Sequence, residues 1–224
     1  MTGNKRFQVR RDGLRKRLLK YTRKAFRMLP KMDNPRILDI GCGSGIPTLE
    51  LARLSQGEVI GIDIDQPALD KFNRNIQDIG LASRVQALNL SLFDMDFSNA
   101  SFDIIWSEGS IYAIGFESGL REWRRFLKPG YYLVIHDEQG NINEKLEQIS
   151  NYHYKLLGYF LLSKETWLAE YFMPLEKLIA EYQMRSTDNP CMLEELQQAQ
   201  EELDMFHKHP ERNSSIYFIM CKVE

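Results

Sequence analysis

Cysteine is scarce in this sequence and long hydrophobic runs are missing. The three cysteines, Cys42, Cys191 and Cys221, are far apart among 224 residues and show no metal-ligand spacing. A disulfide framework or a zinc site is therefore not expected, and the thiols should be reduced. No apolar stretch approaches the roughly 20 residues that span a bilayer, and no apolar export segment follows the charged N-terminus. We expect a cytoplasmic protein without a transmembrane segment.

Acidic residues are nearly absent from the first 31 positions. Twelve lysines and arginines occur there beside one acid, so the segment carries +11; 17 basic and 30 acidic residues follow, so the rest carries −13. Apolar residues that include Leu14, Leu18 and Leu29 recur at helical spacing, which predicts a basic amphipathic helix. The helix could bind RNA, insert those leucines into a membrane surface, or fold onto its own acidic domain. We favour the last, with residues 1–30 as a lid, because no aromatic stacking platform accompanies the cations.

Short apolar segments alternate with helical patterns in the first two thirds of the chain. The predicted strands are 36–40, 58–64, 84–90, 101–107, 131–137 and 215–223. Helices fill the intervals, and one of them is expected to stop at Pro129 and Gly130. Such alternation predicts a parallel, doubly wound α/β sheet with right-handed crossovers. Residues 142–206 are expected to be a mostly helical cover, so that residues 31–224 form one domain.

Three glycines occupy five positions between the first predicted strand and the first following helix. In a doubly wound sheet, the turn that carries Gly41, Gly43 and Gly45 approaches the ligand, and side chains there would block it. The helix N-terminus behind the turn offers amide donors to a carboxylate or phosphate. Asp63 lies at the end of the second strand, 22 positions after Gly41, where it can accept hydrogen bonds from two ribose hydroxyls. The pattern indicates a nucleoside-containing ligand.

The third glycine of the dinucleotide fingerprint is missing. That fingerprint is G-x-G-x-x-G, whereas this loop reads G-x-G-x-G and has Ile46 at the last place. Asp39 lies two residues before the first glycine, where a carboxylate could hold a ligand ammonium and would disfavour pyrophosphate. S-adenosylmethionine carries both an ammonium group and a ribose, so it fits these residues better than NAD does.

Four motifs in this order resemble those of the class I S-adenosylmethionine-dependent methyltransferases. They are ILDIGCGSG, VIGIDID, SFDIIWSEGSIYAIG and LKPGYYLVIHD. Two further segments, SEGSIYAIGFESGLREW and ETWLAEYFMPLEKLI, are similar to a small-molecule subgroup of the UbiE/methyltransferase-11 type. The resemblance implies a Rossmann-like sheet of seven strands in the order 3-2-1-4-5-7-6, with the last strand antiparallel.

The resemblance also implies a set of cofactor-binding residues. Asp39, Gly41 and Gly43 would surround the methionine portion, Asp63 would bind the ribose, and Ile64 would lie against the adenine. The same pocket is expected to include Cys42, Ser91, Leu92 and Ser107. The family commonly has Gly-Asp-Ala after the third strand, where this chain has Leu90, Ser91 and Leu92. Adenine recognition should therefore be weaker or shared; the nearby Asp94 could substitute for the missing carboxylate or be a solvated turn residue.

Candidate catalytic residues lie at the ends of the fourth and fifth strands. Methyl transfer from a sulfonium depends mainly on positioning and desolvation, so a general base is optional. Glu108 could orient or deprotonate the acceptor, or contact only the cofactor; Tyr112 could line the acceptor pocket or simply pack. His136 could be a general base or a structural residue, and the acids Asp137 and Glu138 could hold a cationic acceptor or be solvated.

Aromatic residues are concentrated before the last strand, where they could wall the acceptor or form the core of the cover. They are Tyr152, Tyr154, Tyr159, Phe160, Trp167, Tyr171 and Phe172. The motif Asn-Pro-Pro-Tyr of amide and nucleobase N-methyltransferases is absent, which argues against methylation of exocyclic base nitrogens. His207 and His209 have no ligand partners at convincing spacing, so no metal is assigned.

The function expected from the sequence is methyl transfer from S-adenosylmethionine to nitrogen or oxygen of a small-molecule acceptor. Three different functions stay open at this point. The basic arm could serve an RNA-modifying methyltransferase, the glycine loop could belong to an NAD-dependent oxidoreductase, and the chain could be a sensing module that binds the nucleotide without turnover.

Overall fold

The computed structural model describes residues 3–184 and 190–223 and consists of a seven-stranded sheet with helices. The strands are β1 (Arg36–Ile40), β2 (Glu58–Asp63), β3 (Val85–Asn89), β4 (Phe102–Glu108), β5 (Leu127–Glu138), β6 (Tyr154–Leu162) and β7 (Ser215–Lys222). The helices are α1 (Gly3–Arg27), α2 (Ile46–Ser55), α3 (Gln66–Asp78), α4 (Phe116–Trp123), α5 (Ile142–Asn151), α6 (Lys164–Trp167), α7 (Met173–Gln183) and α8 (Pro190–Lys208). A π-helical turn, Leu168–Phe172, joins α6 to α7.

The strand order is β3-β2-β1-β4-β5-β7-β6, as predicted. Strands β1 to β5 pair in parallel, with Asp39 opposite Trp106 and Glu108 opposite His136. Burial explains why β1, β2 and β4 are mostly apolar, since helices cover both faces of a parallel sheet. The carboxyl ends of β1, β2, β4 and β5 therefore meet at one edge of the sheet.

The chain divides into two compact units. One combines Tyr21–Leu161 with Ile216–Glu224 and contains the sheet core. The other combines Met1–Lys20 with Leu162–Ser215, so it is built from two separate stretches of sequence. α1 contributes residues to both units, and the domain boundary expected at residue 30 stays a prediction.

The first part of α1 is packed into the core of the second unit. Phe7 is fully buried, with its ring centroid 5.2 Å from that of Tyr182, and Leu14 is buried in the same cluster. The basic side chains of this part pair with acids of the same unit: Arg10 with Glu181, Arg11 with Glu202 and Lys20 with Glu170, at 2.5–2.6 Å. The arm thus folds onto acidic helices of its own chain, whereas its action as a lid stays a prediction.

Two of the three leucines considered for membrane insertion are buried, and the third is partly covered. Leu14 and Leu29 are buried, and Leu18 is half-buried against the same core as Leu14. Among the residues described, no helix is both long and apolar enough to cross a bilayer.

One local expectation is wrong and another is incomplete. The described residues of 142–206 are mostly helical, but β6 (Tyr154–Leu162) lies among the helices and is a strand that the sequence did not indicate. Pro129 and Gly130 do not end a helix: α4 ends at Trp123, a 3₁₀ turn follows, and β5 runs through both residues. Gly130 has φ +79°, so the strand accommodates it as an irregularity.

Candidate functional site

Four of the predicted site residues meet at the carboxyl edge of the sheet. Asp39 lies near the end of β1, Asp63 ends β2, Glu108 ends β4, and His136 lies beside Glu108 on β5. The neighbouring strands of a parallel sheet bring these positions together although they are spread over almost 100 residues of sequence. The edge therefore carries three carboxyl groups and one imidazole.

The three loop glycines serve different purposes. A Cβ atom at Gly41 would lie 2.2 Å from Cβ of Ser110, and one at Gly45 would lie 2.0 Å from the ring of Phe72. A Cβ at Gly43 would meet nothing within 4 Å, although φ is +51° there. Of the three, Gly43 alone borders open space that a ligand could use, since Gly41 and Gly45 make room for the protein's own side chains.

Asp39 is a buried carboxyl group beneath the glycine loop. Its Oδ2 accepts a hydrogen bond of 2.5 Å from the hydroxyl of Thr48 on α2. Burial raises the pKa of Asp39 to about 7, and the nearby charges of Glu108 and Asp63 act in the same direction. A group with this pKa near neutrality is responsive to a cation, because a positive charge placed beside it would favour the ionised form.

Asp63 connects the end of β2 to the glycine loop. Its Oδ2 accepts a 2.7 Å hydrogen bond from the backbone N–H of Gly43, and its Oδ1 accepts one of 2.9 Å from the N–H of Asp65. Each carboxylate oxygen has two lone pairs, so both retain capacity for a further donor such as a ribose hydroxyl. The half-buried position of Asp63 leaves it accessible from the edge.

Cys42 and Ser107 lie in the interior. Cys42 is buried against Gly61, where an added Cβ would lie 2.9 Å from its Sγ, and burial raises the pKa of its thiol far above the ordinary value. Ser107 has no exposed surface, and its hydroxyl is 2.7 Å from that of Ser110, which donates to the carbonyl of Ile40. Both residues therefore fill space or tie β4 to the end of β1, and direct cofactor contact by their side chains is not favoured.

The residues expected around adenine flank the ends of β2 and β3. Ile64 is 72% exposed, which leaves an apolar side chain at the edge without a cover. Ser91 and Leu92 are half-buried in a turn, in which the Ser91 hydroxyl accepts a hydrogen bond from the N–H of Phe93. Asp94 is exposed, and its N–H donates to the carbonyl of Ser91. An aromatic ring that covered Ile64 would bury apolar surface now in water.

Glu108 is held by hydrogen bonds from three directions. Its Oε1 accepts a 2.8 Å bond from the indole N–H of Trp106, and its carboxyl group also bonds with the hydroxyls of Thr22 and Tyr217. Burial raises the pKa of Glu108, and these three hydrogen bonds oppose that rise. The sequence could not show these partners, because Thr22 comes from α1 and Tyr217 from β7.

His136 is in register with Glu108 but is a poor candidate for a general base. Its ring stacks on that of Tyr217, with centroids 4.2 Å apart and an angle of 12° between planes. Burial lowers the pKa of His136 to about 3, so the ring is neutral and weakly basic near pH 7. This geometry favours the structural interpretation of His136.

Tyr112 and Asp137 are not joined to this cluster. Tyr112 lies on a 3₁₀ turn (Ile111–Ala113) with 72% of its surface exposed, while Ile111 beside it is buried. Asp137 forms a 2.6 Å ion pair with Lys145, and both side chains are largely buried. Asp137 is therefore committed to α5 rather than free to hold a cationic acceptor.

Most of the predicted aromatic wall belongs to hydrophobic cores. Tyr171 is buried, and Trp167 and Phe172 pack against the core of the second unit. In the sheet unit, Phe160 stacks on Tyr217 with centroids 4.9 Å apart, and Tyr154 is buried with its hydroxyl donating to the carbonyl of Leu120. Of the predicted aromatic wall, Phe160 is connected to the carboxyl edge, because it stacks on Tyr217, which stacks on His136.

Part of the sheet unit is similar to known proteins. Residues 37–130 match a family model described as a methyltransferase domain. The chain is 30% identical over 111 residues to 27-O-demethylrifamycin SV methyltransferase of Amycolatopsis mediterranei, which covers 49% of this chain and 41% of that protein. It is 31% identical over 102 residues to a sterol 24-C-methyltransferase of Eremothecium gossypii, and this alignment covers 45% of this chain and 27% of that protein. The chain thus aligns with less than half the length of these two curated relatives.

Solved structures share the fold over nearly the whole chain. A methyltransferase from Thiobacillus denitrificans in complex with S-adenosyl-L-homocysteine matches with a TM-score of 0.66 at 16% identity, covering 90% of each chain. The [4+2]-cyclase SpnF matches with a TM-score of 0.74 at 20% identity, covering 91% of this chain and 80% of that one. Proteins that share this fold are therefore named for different reactions, a methyl transfer in one case and a cyclisation in the other.

The motifs, the strand order and the family match agree with one another. Residues 37–130 match a methyltransferase domain, and the chain shares its fold with a solved S-adenosylmethionine-dependent methyltransferase. Membership of the class I S-adenosylmethionine-dependent methyltransferases, and of the UbiE/methyltransferase-11 subgroup within them, stays a prediction.

Proposed function

We propose that this protein transfers a methyl group from S-adenosylmethionine to a nitrogen or oxygen atom of a small-molecule acceptor. The observation that carries the proposal is the hydrogen bond between Asp63 and the N–H of Gly43, which joins a ribose-binding acid to a loop that is open at Gly43. When bound, S-adenosylmethionine supplies an electrophilic methyl group on a sulfonium.

The chain's own residues supply binding and orientation. Asp39 binds the ammonium of the methionine portion, Asp63 accepts hydrogen bonds from the ribose hydroxyls, and Ile64 covers one face of the adenine. Gly41 contributes through the shape of the loop that its packing against Ser110 fixes, and Ser91 with Leu92 borders the ring. A buried Asp39 with a pKa of about 7 supports the first role, because a partner cation offsets the cost of burying its charge.

Glu108 is the residue that we assign to the acceptor side. A carboxylate accepts hydrogen bonds, so it orients an acceptor that presents N–H or O–H and takes up the proton that the nucleophile loses. A carbon nucleophile offers no such donor. The sterol relative from Eremothecium gossypii methylates carbon by its name, and an acceptor screen must therefore include carbon nucleophiles.

An oxidoreductase and an RNA-modifying enzyme receive less support than a small-molecule methyltransferase. The family matched by residues 37–130 is a methyltransferase domain, which does not favour an NAD-dependent oxidoreductase. Arginines at positions 10, 11 and 15 of the basic arm form ion pairs with acids of the same unit, which leaves less positive charge for RNA. A module that senses the nucleotide without turnover differs from the proposal only in activity.

The first experiment is calorimetric titration of the purified protein with S-adenosyl-L-homocysteine and, separately, with NADH. We expect binding of the former alone. Binding of NADH alone would overturn the proposal. Transfer of labelled methyl to a panel of amines, hydroxyl compounds, RNA and unsaturated carbon acceptors then tests the acceptor class, with Glu108→Gln as the variant that should bind cofactor and lose turnover. Binding of the cofactor without transfer to any member of the panel would favour the sensing module.

A further inference from the structure

The carboxyl group of Glu108 receives hydrogen bonds from three elements of the fold. The donors are Trp106 two positions before it on β4, Thr22 on α1 and Tyr217 on β7. Thr22 is 1% exposed and Tyr217 is 2% exposed, so water does not compete for these contacts. Both Thr22 and Tyr217 lie outside residues 37–130, the part that matches the methyltransferase family model.

Tyr217 is fixed by aromatic stacking. The ring of His136 stacks on it at 4.2 Å with an interplanar angle of 12°, and Phe160 stacks on it at 4.9 Å with an angle of 16°. The ammonium of Lys24 lies 4.0 Å from the centroid of Phe160, which extends the stack to α1. A ring packed in this way keeps its hydroxyl directed at Glu108, since rotation would disturb the whole stack.

Three donors leave a defined capacity on Glu108. A carboxylate has about four lone-pair sites, so at least one site stays available for a donor on an acceptor molecule. Hydrogen bonds to the ionised form also favour that form over the protonated one. The charged or titratable groups that face Glu108 are Asp39 on β1, His136 on β5 and Tyr217 on β7, and of these only Asp39 carries charge near neutral pH.

We propose that Tyr217 is a positioning residue, which together with Thr22 holds Glu108 ionised and directed at the acceptor. The inference rests on the proposed function, in which Glu108 is the acceptor-side carboxylate. It adds that two segments outside the matched domain determine how that carboxylate is presented. Tyr217 itself does not touch the acceptor in this proposal, because it is buried behind Glu108.

The indole of Trp106 provides a reporter that needs no substrate. Because its N–H donates to Glu108 at 2.8 Å, the ¹H–¹⁵N resonance of this indole should shift as Glu108 titrates. Trp123 and Trp167 are the only other tryptophans, so Trp106→Phe assigns the signal. Glu108→Gln identifies which step of the titration belongs to Glu108 and which to Asp39.

Tyr217→Phe removes the hydroxyl and keeps the stacked ring. We expect it to raise the Glu108 midpoint, read at the Trp106 indole, by about half a unit to one unit, as for the loss of one hydrogen bond to a carboxylate. Tyr154→Phe is the matched control: this hydroxyl is also buried but donates to the carbonyl of Leu120, so the midpoint should not change. An unchanged midpoint in Tyr217→Phe would overturn the inference.

A second pair of variants tests the same carboxylate from the side of α1. Thr22→Val should raise the midpoint, while Thr22→Ser, which keeps a hydroxyl, should restore it. If Tyr217→Phe does not fold, equal midpoints in the two Thr22 variants overturn the inference. Failure of the proposed function would be recognised separately. The wild-type protein would then not bind S-adenosyl-L-homocysteine in calorimetry, while its Trp106 signal would still titrate.

Discussion

The carboxylate of Asp63 and the backbone N–H of Gly43 are joined by a hydrogen bond of 2.7 Å. The acid at the end of β2 thereby ties down the loop that follows β1. One side chain thus combines a structural role with a proposed ligand contact, and variants must separate the two.

Asp63→Ala should weaken binding of S-adenosyl-L-homocysteine by about 1–3 kcal/mol, the range for a hydrogen bond to a charged group. Asp65→Ala is the control, because Asp65 caps α3 by accepting from the N–H of Ala68. That variant should lose about 1 kcal/mol of stability and keep its affinity. Calorimetry and thermal unfolding of both variants provide the comparison, and equal affinities of Asp63→Ala and wild type would refute the ribose role.

Gly43→Ala should fold, but it should bind S-adenosyl-L-homocysteine poorly. Its Cβ would enter open space, and the left-handed backbone costs about 1–2 kcal/mol for a residue with a side chain. Gly80→Ala carries the same backbone penalty at φ +70° with nothing within 4 Å, and Gly80 lies at the end of α3. We expect the two variants to have similar melting temperatures, with a loss of affinity for S-adenosyl-L-homocysteine of about tenfold or more in Gly43→Ala alone. Equal affinities would place the cofactor away from the loop.

Affinity for S-adenosyl-L-homocysteine should increase as the pH rises through about 7. In the free protein Asp39 has its pKa raised to about 7, and the ligand ammonium favours the ionised form, so binding below pH 7 releases a proton. The increase is at most about tenfold per pH unit and ends above pH 7. Calorimetry in buffers of different ionisation enthalpy measures the proton release. Asp39→Asn should show weaker binding without this dependence; the same slope in that variant would exclude Asp39 as its source.

The free energy of unfolding should decrease at acidic pH because of His136. Its pKa is lowered to about 3 in the folded protein from 6.5, so between these values the unfolded chain binds a proton that the folded chain does not. The free energy of unfolding that this group contributes is therefore complete above pH 6.5 and is lost as the pH falls toward 3. His136→Phe keeps a ring to stack on Tyr217 and should lose less stability on acidification. Parallel urea unfolding curves at about pH 7.5 and about pH 5 test this, and an equal loss in both proteins would contradict it.

Phe7→Ala should destabilise the protein by about 3–5 kcal/mol, the usual cost of removing a buried aromatic side chain. Phe7 is fully buried, whereas Val9 nearby on α1 is 52% exposed, so Val9→Ala should change little. Denaturant unfolding compares the two. Equal stabilities would mean that the first turns of α1 do not pack in solution.

The sheet was predictable because its strands are marked locally. Each of β1, β2 and β4 is a short, mostly apolar run; Gly41 directly follows β1, and Asp63 is the last residue of β2, so both lie at the carboxyl edge where a ligand is expected. In contrast, β6 was missed, since its sequence YKLLGYFLL lies between helices and has no strict alternation of polar and apolar residues. A largely apolar run of this length fits a strand or a helix segment equally well.

The partners of Glu108 could not be read from the sequence. Tyr217 is one of six consecutive buried residues of β7, which gives it the pattern of a core aromatic. The sheet order places β7 between β5 and β6, and Tyr217 thereby stacks on His136 of β5 near the carboxyl edge of the sheet. Thr22 looks like an ordinary polar residue of a basic helix. Long-range contacts set by topology determine both roles, and local patterns carry no information on them.

The compact unit that combines Met1–Lys20 with Leu162–Ser215 cannot assemble until late in translation. Phe7 and Leu14 pack with residues from Tyr171 to Leu203, so roughly 150 residues or more must be translated before their partners exist. At the usual rate of about 5–20 residues per second, the apolar side of α1 is uncovered for roughly ten seconds or more. An emerging chain in that interval presents a basic amphipathic segment to chaperones, ribosomal RNA and membranes alike, although the folded protein conceals its hydrophobic face.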